Sequence, residues 1–508
     1  MQAQRKTQPY EYFDFTFDGA SEVPMDTEYT LPDYCADIQK ILKCSVTPEL
    51  SSYHVSEDML RCEGTCDVRI LYLDPKGDTL RCCDFTKEFT ANIAIKSVEE
   101  KSVAYVKASV EHMTCRAVSA RRVDLHVALS LRALTVVQKQ CQITYGMEGE
   151  GVERRERMAS ATQAVNAMSH QFYIEDRLPL KNGKPPIGTL LRKEVHCRST
   201  GCKVSQGQIA VTGRVEISFL YQPAEGGDPE RMSSSVDFEQ VIACDGAQET
   251  CLCDLRVEAG ESSLSPREDD VGEYTSVDVR VGVFLTAFLY QTCQISYLDD
   301  AYSIKAPLEL RYEETPLLDV QEIHSEVLKK KGTLSVEEIQ KVVDLWCEQD
   351  SVRSRCEKGK LFYRVKFTVC LLYQNVQGRL LYMERPFEYE TATEQEGELP
   401  QKSDTVFLTD LWEYRIADKN SIEISVETWV SSLLYNRGSI RFLSAVSSDD
   451  SAPGFPHTPQ LLVYYASAGE NLWDIAKNHR ALLSDLREQN ELYEDVLPDA
   501  RPLILCRR

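Results

Sequence analysis

One pattern recurs three times along the chain and limits the fold more than any other feature. An apolar segment closing on Tyr reads VRILY at 68–72, EISFLY at 216–221 and TVCLLY at 368–373. Upstream lies a second marker, DIQKIL at 37–42, PIGTLL at 186–191 and EIQKVV at 338–343. From its first Ile to the closing Tyr the distance is 34 residues in every copy, from Ile38 to Tyr72, Ile187 to Tyr221 and Ile339 to Tyr373. A third marker follows as RVDLHV at 122–127, SVDVRV at 276–281 and SIEISV at 421–426. Its first apolar residue lies 51, 56 and 49 residues beyond the Tyr, a drift that surface loops tolerate. Between these markers each copy places a Phe, at Phe85, Phe238 and Phe387. The Tyr positions are offset by 149 and then 152 residues, which is domain-sized and too long for a solenoid repeat.

The third marker alternates strictly. Val123, Leu125, Val127 and Leu129 face one way, Asp124, His126 and Ser130 the other; Val277, Val279, Val281 and Val283, and then Ile422, Ile424 and Val426, repeat the pattern. Period two with a polar face describes a half-buried antiparallel strand, and β-branched residues suit its inner side. Turn sequences such as Pro75–Lys76–Gly77–Asp78 and Gly226–Gly227–Asp228–Pro229 follow the Tyr strands and point to hairpins. The expected fold is mainly β: three homologous sandwich-like units over 1–150, 151–310 and 311–446. Weak helical character is expected at Arg154–His170 and Asp319–Trp346. The spacing of Ile38, Ile41 and Leu42 also fits a helical turn, though so short a segment is ambiguous.

Composition narrows function. The chain is 43% hydrophobic and 27% charged, enough to bury sizeable cores. Its formal charge of −23 argues against nucleic acid and against anionic membranes held by charge alone. The amino terminus lacks the apolar core of a signal peptide, and the apolar run Val281–Tyr290 is too short to span a bilayer, so a soluble cytoplasmic protein is expected. Eighteen cysteines in 508 residues are too sparse for a disulfide scaffold and read mostly as reduced, buried thiols. Hydrolase, phosphate-loop, dinucleotide and zinc-protease motifs do not occur. Cys62 with Cys66, and His196 and Cys197 with Cys202, are weak metal candidates, and His126 reads as solvated. No catalytic, cofactor or metal residue is expected.

Residues 447–460, SSDDSAPGFPHTPQ, read as a linker. The module that follows, 461–508, has its own logic. Gly469 suits a tight turn and Asn471 can cap the helix behind it. Leu472, Ile475, Ala476 and His479 share one helical face that would pack on strands, while Trp473, Lys477 and Arg480 share the adjacent flank. Trp473 is open to two readings, a half-buried cover for a small core or an aromatic–basic anchor for a partner.

Here the sequence resembles a known family. The stretch YYASAGENLWDIAK at 464–477, then Leu483, Leu486 and Asn490, and finally VLPDARPLIL at 496–505, resembles a LysM domain and implies a βααβ fold. That family commonly binds N-acetylglucosamine glycans through two turns, whose matching positions are Glu470, Asn471 and Leu472, then Leu497, Pro498, Asp499 and Ala500. Asp499 and Ala500 stand where Gly and Gln are usual; a bulkier, charged turn narrows the groove and favours a protein ligand. The candidate partner or glycan site is therefore Gly469, Glu470, Asn471, Leu472, Trp473, Lys477, Arg480, Leu497, Pro498 and Asp499. Taken with the three β units, the chain resembles the SPOCS-repeat, SipL-type spore-coat morphogenetic proteins of spore-forming Clostridia-type bacteria. The resemblance implies a non-enzymatic scaffold in the mother-cell cytoplasm at the forespore surface, docked through LysM onto the coat's basement ATPase. A peptidoglycan-binding lectin is the alternative, a cell-wall enzyme a remote third, and self-association stays open.

Overall fold

The computed structural model describes residues 4–507 apart from 78, 97–101, 150, 182, 395–399 and 449–459. The first unit comprises β1 (Gln4–Thr30), β2 (Lys40–Ser56), β3 (Met59–Leu73), β4 (Leu80–Ala94), β5 (Ser102–Ser119) and β6 (Arg122–Glu148). These form two antiparallel three-stranded sheets, ordered β1–β6–β5 and β2–β3–β4. The second unit repeats the design with β7 (Val152–Pro179), β8 (Ile187–Ser205), β9 (Gln208–Pro223), β10 (Glu230–Ala243), β11 (Leu252–Glu268) and β12 (Tyr274–Ser303). The third does so with β13 (Leu308–Ser335), β14 (Ile339–Glu357), β15 (Lys360–Asn375), β16 (Leu380–Glu394), β17 (Lys402–Asp418) and β18 (Ser421–Ser448). The fold is mainly β, as the alternation implies.

Each repeated marker has a structural cause. The alternating segments open β6, β12 and β18, the central strands of their sheets, and their apolar sets are buried in the unit cores. Tyr72, Tyr221 and Tyr373 are also buried. The Tyr72 hydroxyl donates to the Ala36 carbonyl at 2.9 Å and the Tyr221 hydroxyl to the Pro185 carbonyl at 2.9 Å. In both units the acceptor directly precedes the upstream marker, so in the first two copies the buried Tyr ties that marker to the Tyr strand. The Phe markers are half-buried against the same cores.

Two local expectations are corrected. Arg154–His170 lies within strand β7, and Asp319–Trp346 runs through β13 and into β14. Their backbones pair with β12, β18 and β15, and those long ladders override a weak local helical preference. The segment at Ile38 forms no helical turn: the Ile38 N–H bonds the Ala120 carbonyl at 2.8 Å, and β2 begins at Lys40.

The antiparallel pairs β1/β6, β7/β12 and β13/β18 outrun their third strands and continue as two-stranded arms. In the first unit, for example, β5 accompanies β6 only from Arg122 to Val137, while β1 follows it to Glu148. The arms pack side by side. One apolar cluster joins Phe13 and Val136 to Phe288 and Tyr290 and to Val320 and Leu433. A second joins Tyr10 and Ile143 to Ile295 and to Ile440 and Phe442. Nearer the tips, Met147, Leu298 and Leu443 form a third. The small sheets also converge: Leu42 and Leu71, Leu191 and Leu220, and Val343 and Leu372 share one cluster. These are the last residue of each upstream marker and the residue before each Tyr. Ion pairs ring this junction, including Lys43–Glu348 at 2.7 Å, Arg192–Asp344 at 2.7 Å and Lys193–Glu49 at 3.3 Å.

Of the expected linker, 449–459 lies outside the described residues. The C-terminal module is built from β19 (Gln460–Ala466), α1 (Leu472–His479), α2 (Leu483–Asn490) and β20 (Arg501–Arg507), with β19 and β20 antiparallel. Its core holds Leu472, Ile475, Ala476, Leu486, Leu497, Leu503 and Leu505. Among the described residues, no helix is long and apolar enough to cross a membrane.

Candidate functional site

The ten candidate residues all fall in the C-terminal module, and the structure divides them between two faces and a core. The first face is a pair of turns. Gly469 adopts φ +87°, a left-handed conformation that glycine reaches without strain. Its N–H bonds the Leu497 carbonyl at 2.8 Å, and the Leu497 N–H bonds the Glu470 carbonyl at 2.9 Å. The strand–helix turn and the helix–strand turn are thereby tied together. Asn471 caps α1, its side-chain oxygen accepting from the Trp473 N–H at 2.8 Å. The Glu470 carboxylate accepts from the Ser467 N–H and the Tyr464 hydroxyl, which together hold its carboxyl below the usual range. Gly469, Pro498 and Asp499 are exposed on this rim, and Arg501 Nε donates to Asp499 at 2.8 Å. Leu472 and Leu497 lie in the core, so they shape the turns without offering a contact surface.

The second face is docked on the chain's own second unit. Trp473 and Lys477 stand one helical turn apart and meet Asp300, near the tip of the β12 arm. Trp473 is only 4% exposed, and its Nε1 donates to Asp300 Oδ2 at 2.8 Å. Lys477 Nζ reaches both Asp300 oxygens, at 2.6 and 2.7 Å. Burial raises the Asp300 carboxyl, but the bonds from Lys477 and Trp473 outweigh it and hold the group below its ordinary value. Tyr302 packs edge-on to Trp473, with ring centroids 5.0 Å apart, and its hydroxyl donates to the Ala481 carbonyl at 2.7 Å. The Arg155 guanidinium lies 5.4 Å from the Trp473 ring and is anchored by Asp299 at 2.8 Å. Arg480 closes α1 in the left-handed conformation, its N–H bonded to the Lys477 carbonyl.

Sequence reasoning placed Trp473 and Lys477 on one flank and missed what that flank meets. Asp300, Tyr302 and Arg155 lie in strands far away in sequence, and no motif marks them. Elsewhere, a cleft of about 960 Å³ opens between the second and third units. Its charges are largely paired: Lys184 with Glu230, His196 with Glu194 at 2.9 Å, and Lys341 with Asp228 at 3.0 Å. Exposed His126 meets Asp26 at 2.8 Å. Among the described residues, no cluster of three or more His, Cys, Asp or Glu side chains is arranged to hold a metal ion.

Fold and site together describe a protein of repeated, mutually packed β units with a small docked α+β module. A family model described as SipL, SPOCS domain, matches residues 37–118 and 186–265. Two segments of the chain are thus similar to the SPOCS domain of that family, one in each of the first two units. The matched spans run through β2–β5 and β8–β11, leaving the long arm strands outside. The third unit repeats the same strand order without a match of its own. No curated protein and no solved structure matches the chain.

Proposed function

We propose that this chain is a non-enzymatic assembly scaffold of the spore coat, working in the mother-cell cytoplasm at the forespore surface. Its three units form one body with extensive surface, and its C-terminal module serves as the docking head for the coat's basement ATPase. The observation that carries this reading is the SPOCS match over two units, joined to a third unit of the same topology and a βααβ module. Asp499 and Ala500 in the second turn support a protein rather than a sugar as the module's ligand, because a charged, bulkier turn limits close approach of a saccharide ring. The second reading, a peptidoglycan-binding protein, is favoured by one feature: the two turns that such glycans would need are tied together and exposed at Gly469, Pro498 and Asp499.

A parallel titration of the full chain against the basement ATPase and a chitooligosaccharide separates them. Saturable binding to the ATPase, with the sugar inert, is the expected result. Binding to the sugar alone, or retention on insoluble peptidoglycan that Asn471→Ala or Pro498→Ala removes, would sink the docking-head reading and establish the glycan one.

A further inference from the structure

The two sheets of each unit meet along a seam of edge strands: β2 with β5, β8 with β11, and β14 with β17. The backbone ladders end at these strands among the described residues, so side chains join the sheets there. In the third unit hydroxyls do this. Ser403 Oγ donates to Ser354 Oγ at 2.8 Å, and Thr405 Oγ1 donates to the same Ser354 oxygen at 2.7 Å.

Register carries these positions onto the second unit. Ser354 pairs with Tyr363, the fourth residue of β15, and Cys202 pairs with Val211, the fourth residue of β9. Ser403 pairs with Leu434 and Cys253 with Leu289. Leu434 and Leu289 each lie 12 residues beyond the first apolar residue of their alternating marker, Ile422 and Val277. Cys202 and Cys253 thus occupy the seam positions of a pair whose side-chain atoms touch in the third unit. Their own thiols are in side-chain contact as well.

We propose that Cys202 and Cys253 are a modification site, an oxidisable thiol pair that forms a disulfide across the seam of the second unit. Cys202 is exposed and Cys253 half-buried, so an oxidant meets Cys202 first. The contact holds the Cys202 thiol below its ordinary value and raises that of Cys253, which makes Cys202 the source of thiolate. With a small disulfide such as oxidised glutathione, the Cys202 thiolate attacks one sulfur and expels a glutathione thiolate, leaving a mixed disulfide. Cys253 then loses its proton to solvent, attacks Cys202 Sγ and expels the second glutathione thiolate. Two protein thiols are oxidised and one glutathione disulfide is reduced to two thiols. The product covalently joins β8 to β11, closing the sandwich where it has no backbone ladder.

The test is peptide mapping by mass spectrometry of the full, folded chain after incubation in oxidised glutathione. The expected product is a Cys202–Cys253 linked peptide, with an upward shift in the thermal midpoint over the reduced chain. Cys253→Ser should stop at glutathionylated Cys202 and lose that shift. Ser is what the third unit carries at the equivalent position, Ser403, so this variant keeps a side chain the seam accommodates. Three results would overturn the proposal: Cys202 linked instead to Cys244 or Cys251, no linkage in the wild type although Cys253→Ser becomes glutathionylated, or no reaction at Cys202 in either protein.

Discussion

Removing the Asp300 carboxylate should release the C-terminal module from the body without unfolding either. Asp300 is 7% exposed and holds two donors from α1, Trp473 Nε1 and Lys477 Nζ. In Asp300→Ala the buried indole N–H loses its acceptor, which costs ~1–3 kcal/mol. The Lys477 side chain is 36% exposed, so water takes over part of its solvation and its share falls to ~1 kcal/mol. The docked state should therefore lose ~2–4 kcal/mol, or ~30- to 1,000-fold in the docking equilibrium, from the sum of these two terms. Hydrogen–deuterium exchange reads this directly: amides of α1 and of the arm tips around Arg155 and Tyr302 should exchange faster, while those of β3 and β9 should not change. A double-mutant cycle with Lys477→Ala should show coupling of ~1 kcal/mol, since the pair shares one ion contact. The pH dependence has a definite sign. Asp300 has a depressed folded-state pKa, so its contribution is fully present above the unfolded value of 3.8 and is lost as pH falls through the lower folded value. Exchange in α1 that is the same for wild type and Asp300→Ala at neutral pH, with the module folded in both, would refute the reasoning.

Other perturbations test the body. Leu220 is fully buried where the three small sheets meet, and Leu220→Ala should cost ~2–5 kcal/mol, seen as a lower thermal midpoint and a broadened transition if the junction couples the units. Asp344→Ala removes the inter-unit carboxylate of the buried Arg192 guanidinium, which keeps Glu194 at 2.9 Å, and should cost ~1–3 kcal/mol by denaturant unfolding; Arg192→Met in the same chain should recover part of the loss. Asn471→Ala removes the cap of α1 and should lower the module's stability by ~1 kcal/mol, detected as faster exchange confined to 472–479.

The sequence told most where a residue's role is local or strictly periodic. The alternation beginning at Val123, Val277 and Ile422 identified the central strand of each large sheet, because one face of that strand is buried along its whole length. Asn471 and Gly469 could be placed because a helix cap and a tight turn depend on only a few neighbouring residues. Arg154–His170 and Asp319–Trp346 are strands because each pairs with a distinct strand elsewhere in the chain, from Cys370 opposite Trp346 to Ala301 opposite Arg154, and no local pattern reports such a partner. The candidate site was half legible. Its residues could be named, but Leu472 and Leu497 went to the core, and Trp473 and Lys477 were matched to Asp300 through tertiary packing alone.

By itself, the sequence determined that three similar β units exist and which side of each alternating strand faces inward. Those are consequences of period-two alternation and of markers that recur at a fixed spacing. Only the tertiary structure decided that Leu42, Leu191 and Val343 belong to one shared junction, that the arms pack together, and that the module's aromatic–basic flank is turned toward the second unit. Each of these depends on surfaces brought together across the whole chain. An apolar or charged side chain looks the same in sequence whether it faces its own unit, a neighbouring unit or solvent.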